Sequence, residues 1–180
     1  MQNKLFGSIC AAILLLTACA SAPSDKEAPQ IQTSVSTANT AKAAQSTLIA
    51  FFDSLYTGDY ETATNYYGGS YHALQSLYPD VDPQDYAALF KTACEGSKYV
   101  FYCWKLKDIV KQEQVSPSRY LFTVRFEDDS GNLLTGGDNM TPVPCLPPEN
   151  CPRSQYVYTV LKVEGEFLVQ ELPVCSSCWP

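Results

Sequence analysis

The sequence predicts an α+β domain, with helices first and a single long antiparallel sheet after them, the helices packed on one face. Two observations carry this. Apolar residues recur at three- and four-residue steps before Gly96 and at every second residue after it. Helix-stop and turn residues punctuate both halves, and no internal repeat is present.

From Ala44, the residues Leu48, Phe51, Phe52, Leu55 and Tyr56 form one stripe, which Gly58 ends. Asp59 is placed to cap a second short helix, in which Tyr60, Ala63 and Tyr67 share a face before Gly68 and Gly69. A third helix is expected with Asp82 as N-cap, Pro83 in the first turn and Tyr86, Leu89, Phe90 and Ala93 as its stripe.

The period then becomes two. Val100, Tyr102, Trp104 and Leu106 read as one strand, and Tyr120, Phe122, Val124 and Phe126 alternate with polar residues in the next. The run Asp128 to Gly131 is a turn, and Met140 to Pro152 is a loop whose five prolines do not continue a sheet. Tyr156 to Val163, a Glu164-Gly165 turn and Phe167 to Leu172 form the closing hairpin.

The N-terminus is not part of that domain. Lys4 is the only charge before an apolar run from Leu5 to Leu16, which is too short to span a bilayer and has the layout of a secretory signal. Leu16-Thr17-Ala18-Cys19 resembles the lipobox of bacterial lipoproteins. The resemblance implies cleavage after residue 18, acylation of Cys19 and a chain anchored to the lipid bilayer in the cell envelope, outside the cytoplasm. Ala20 follows the cysteine where an Asp would favour retention in the inner membrane, so the outer membrane is expected if the cell has one. Residues 19–44 are rich in Ser, Thr, Ala, Pro and Gln and are expected to be a flexible tether. Residues 45–180 are then one domain, with a disulfide-rich loop at 139–153 and a short tail.

The net charge is −7 and no basic run occurs, so nucleic acid is not an expected partner. Of eight cysteines, six remain once Cys10 leaves with the signal and Cys19 is acylated. Cys94, Cys103, Cys145, Cys151, Cys175 and Cys178 read as a disulfide framework in an exported chain. Local spacing favours Cys94 with Cys103, Cys145 with Cys151 and Cys175 with Cys178, although Cys175 and Cys178 can also reach different partners. Only Trp179 and Pro180 follow the final Cys-x-x-Cys, which leaves no helix N-terminus to activate a thiolate. One histidine and a single close cysteine pair do not supply a tetrahedral zinc set, and neither a metal nor a cofactor is expected.

The segment AFFDSLYTGDYETATNYYGG, Ala50 to Gly69, resembles the opening of nuclear transport factor 2-like domains, including those attached to bacterial lipoproteins. The resemblance implies a cone of helices wrapped by a curved sheet, with a pocket between them. Enzymes of that shape place an Asp or His on an inward position beside a donor. The candidates here are His72 and Asp53, and each reads more readily as a solvated residue. Tyr102, Trp104, Phe122 and Tyr158 either pack as core or line an apolar pocket. The expected function is a non-catalytic lipoprotein that binds a partner protein of the envelope or a small apolar ligand. The alternative is a small isomerase or dehydratase using His72 or Asp53.

Overall fold

The computed structural model describes residues 31–96, 101–135 and 154–175, the side chains of 31–37 excepted. Among the described residues four helices precede six strands: α1 (Ile31–Thr57), α2 (Tyr60–Tyr66), α3 (His72–Leu77), α4 (Tyr86–Glu95), β1 (Phe101–Tyr102), β2 (Lys105–Ser116), β3 (Arg119–Glu127), β4 (Tyr156–Val163), β5 (Glu166–Val169) and β6 (Val174–Cys175). The α+β class and the antiparallel pairing are as expected.

The single long sheet is corrected. β2, β3, β4 and β5 form one sheet in that order, while β1 pairs only with β6 in a separate two-stranded ladder. The strand expected from Val100 to Leu106 breaks at Cys103 and Trp104, between β1 and β2, where Cys103 is tied back to Cys94. A strand held at that point to the end of α4 changes partner instead of running on into β2.

α1 also differs from expectation, since it begins at Ile31 and takes up the second half of the expected tether. Residues 31–43 contain no Gly or Pro. A helix nucleated by the apolar stripe therefore meets no breaker as it propagates toward the N-terminus. At α4 the cap is Asp85, which accepts from the Ala88 N–H at 2.9 Å, whereas Asp82 accepts from the Gln84 N–H in the preceding turn. Asp59 caps α2 as expected, accepting from the Thr62 N–H at 3.1 Å. α3 was not expected: its six residues are too few to show a period.

The core lies between α1 and the inward face of the four-stranded sheet. Leu48, Phe51, Phe52 and Leu55 meet Tyr120, Phe122, Val124, Phe126, Tyr156, Tyr158 and Val160, all buried. Tyr56 leaves the expected stripe and is exposed, donating instead to Asp129 at 2.7 Å. The register Tyr120↔Val160, Phe122↔Tyr158 and Val124↔Tyr156 puts these inward residues side by side across β3 and β4. β2 departs from regular pairing three times, around Lys107, Val110 and Val115. Such bulges bend a strand and blunt an exposed edge.

Two glycines shape the connections. Gly165 has φ of 100°, which the tight β4 to β5 turn requires. Gly69 passes so close to β5 that a Cβ there would stand 2.1 Å from the Gln170 carbonyl oxygen.

Candidate functional site

Asp53 and His72 are both exposed, on α1 and at the first position of α3. Neither lines the space between helices and sheet. Asp53 follows Phe52 by one residue, and a step of about 100° around a helix carries it off the buried stripe. Both side chains therefore lie on the solvent side of their helices.

The four pocket candidates do not come together either. Phe122 and Tyr158 are fully buried core residues, whereas Tyr102 and Trp104 are half-buried at the small ladder, with their rings edge to face at 5.3 Å. The interior around Tyr158 is filled by rings: Phe52 stands 4.8 Å away and Phe126 6.0 Å away, both edge to face. A second ring cluster joins α1, α2 and α4, where Phe51, Tyr67 and Phe90 interlock. Tyr71 extends it outward and stacks on the more exposed Tyr86 at 4.0 Å.

The hydroxyls of Tyr71, Tyr120 and Tyr158 are buried without a hydrogen-bond partner. Burial, and then the neighbouring charge of Glu171, pushes the Tyr158 phenol well above its ordinary pKa. Among the described residues no Asp, Glu, His, Lys or Arg is buried, and the buried polar side chains other than tyrosine are Ser54 and Thr159.

Glu171 comes nearest. It is half-buried at the end of the sheet, its Oε2 accepts from the Thr159 N–H at 2.6 Å, and burial raises its carboxyl above the usual range despite that bond. Sequence reasoning missed it, although a signal was present: Phe167, Val169 and Glu171 share a parity, so a strand reaching residue 172 turns all three to one side.

Two open hollows lie on the surface. One, of about 420 Å³, runs between α1 and the β4 to β5 hairpin and is lined by Asn39, Thr47, Lys162, Glu166 and Phe167. The other, of about 350 Å³, separates α2 from α4 between Asp59, Tyr60, Asp85, Lys91 and Glu95. There, burial and then the Glu95 carboxylate, to which it donates, push the Tyr60 phenol up to about 12.

Cys94 and Cys103 form a disulfide. Cys175 is disulfide-bonded as well, while Cys145, Cys151 and Cys178 lie outside the described residues, as does Cys19, the residue expected to be acylated. Among the described residues no group of His, Cys, Asp and Glu is arranged to hold a metal ion, and no helix is long and apolar enough to cross a membrane.

The outward face of the sheet carries apolar residues too. Val157 and Val163 are 45% and 41% exposed, Leu121 and Leu161 lie near them, and Leu161 pairs with Leu168 of β5. Compared with protein-family models, curated proteins and solved structures, the chain matches none.

Proposed function

We propose that the protein is a lipid-anchored lipoprotein of the bacterial envelope whose nuclear transport factor 2-like domain binds another envelope protein without catalysing a reaction. The anchor rests on the Leu16 to Cys19 sequence and the short apolar run before it. The cone rests on the order of helices before an antiparallel sheet, on the Asp59 cap after Gly58, and on the bulges of β2, which favour curvature.

The observation that carries a binding role is the contrast between the two faces of the sheet. The inward face is closed by packed rings, whereas the outward face offers Val157 and Val163 to solvent beside half-buried leucines. A patch of that kind, rimmed by Arg119 and Glu166, suits a protein partner.

The anchor is tested by metabolic labelling with palmitate. The wild-type chain takes up label and sediments with membranes, and Cys19→Ala abolishes both; a soluble, unlabelled wild-type chain overturns this part. The partner is tested with a photocrosslinking residue at Val157 in intact cells. A discrete protein adduct that Val163→Arg weakens supports the reading, and an adduct to a small apolar molecule or none at all overturns it in favour of a ligand.

A second reading, an isomerase or dehydratase in the cone, passes from Asp53 and His72 to Glu171 beside Tyr158. It is the lesser one, because the Glu171 carboxylate is already engaged by the Thr159 N–H and neither hollow reaches it.

A further inference from the structure

β5 ends at Val169, yet the two residues after it still hold β4. The Gln170 N–H donates to the Thr159 carbonyl at 3.0 Å, and the Thr159 N–H donates to Glu171 Oε2 at 2.6 Å. A side-chain oxygen takes the place that a strand carbonyl would have had, so the Thr159 amide is satisfied by a group that titrates. Leu172, Pro173, Val174 and Cys175 follow, all buried, and β6 then pairs with β1 through Phe101↔Cys175 and Tyr102↔Val174. The carboxylate therefore fastens the start of the connection from the main sheet to the small ladder.

The titratable and charged groups that face Glu171 are few. Tyr67 approaches from the end of α2, Tyr158 from β4 and Arg119 from β3. The two phenols are neutral and bring no counter-charge. Arg119 is exposed, and its attraction together with the hydrogen bonds from Thr159 and from the Glu171 backbone does not outweigh the loss of water around the carboxylate.

We propose that Glu171 is a proton-governed latch on the β5 to β6 connection, held more firmly in mild acid than at neutral pH. With the latch open, the carboxyl returns to water and titrates near its ordinary 4.5; with it closed, the carboxyl titrates higher. The anion therefore favours the open form and the neutral acid the closed one. The closed form loses stability as pH rises through its own higher pKa, and below 4.5, where both forms are protonated, acid adds nothing further. Opening frees the Thr159 N–H and loosens the ladder that carries Tyr102 beside Trp104.

The test is native-state hydrogen exchange on the full chain from about pH 4.5 to 7.5, corrected for the chemical exchange rate at each pH. Protection of the Thr159 amide is expected to rise toward acid, by about tenfold for each unit of difference between the two pKa values. The Phe122 amide, central in β3, is expected not to follow it. Glu171→Gln keeps an acceptor for the amide but has no proton to gain, so its protection is expected to be flat across the range and close to the wild-type acid value. Glu171→Ala is expected to lose protection at Thr159 at every pH. Wild-type protection that is flat or falls toward acid, or a Glu171→Gln profile with the wild-type slope, overturns the latch.

Discussion

The ring of Phe52 on α1 meets the ring of Tyr158 on β4 edge to face at 4.8 Å, and the Tyr158 hydroxyl beyond that contact has no hydrogen-bond partner. The two residues should respond oppositely to truncation. Phe52→Ala removes a fully buried ring that also touches Phe126, and is expected to cost about 3–5 kcal/mol. Tyr158→Phe keeps the ring and deletes an unpaired polar atom, so stability is expected to hold or to rise by about 1 kcal/mol. Urea denaturation measures both, and a large loss in Tyr158→Phe would show that the hydroxyl has a partner.

Gly69 and Gly165 are expected to differ in their tolerance of alanine. At Gly69 the new Cβ would meet the backbone oxygen of Gln170, and the segment after α2 would have to leave β5. A loss of about 2–3 kcal/mol is expected. At Gly165 nothing lies within 4 Å and only the positive φ is strained, so about 1 kcal/mol is expected. Equal losses would mean that space near Gln170 is not what selects glycine at residue 69.

Replacing Cys94 and Cys103 together by serine is expected to lower stability by about 2–3 kcal/mol, the scale for a short closed loop. The change should be read by denaturation under non-reducing conditions, so that the bridge at Cys175 stays in place. No loss would show that the packing of Phe101 and Ala93 fixes this corner without the covalent link.

Arg125 donates through Nε to Asp108 Oδ1 at 2.9 Å, and its Nη2 reaches the other carboxylate oxygen. That hydrogen bond, more than any other influence, holds the Asp108 carboxyl below its ordinary value. Its contribution to stability is therefore present above the ordinary Asp pKa and is lost as pH falls through the lowered one. Both side chains are partly exposed, so Asp108→Asn is expected to destabilise only slightly at pH 7, with the difference from wild type closing in acid. Melting curves across pH check this, and a difference that widens in acid would refute it.

The hairpins were legible because their signals are local. β4 runs from Tyr156 to Val163 as its alternation indicates, and Glu164-Gly165 supplies the two positive φ values of the turn. What escaped reading depends on distant contacts or on equivalent choices. Asp82 and Asp85 both satisfy the chemistry of an N-cap, and only the folded backbone decides that Asp85 serves. β1 alternates in phase with β2, so nothing in its own residues announces that it pairs with Val174 and Cys175. Asp53 and His72 drew attention by residue type, whereas Glu171, an acid set beside the buried phenols of Tyr67 and Tyr158, sits in a stretch that reads as strand end.

The packing of α1 has a consequence for how the chain comes into being. Phe52 closes on Phe126 and Tyr158, which are synthesised long after it. Until the last third of the chain is present, the stripe of Leu48, Phe51, Phe52 and Leu55 has no sheet to cover it. The sheet itself is assembled from neighbouring hairpins, so its pairings are close in sequence, whereas the contact of the first helix with the final strands is distant in sequence. A half-made chain therefore carries that stripe before the residues that cover it exist.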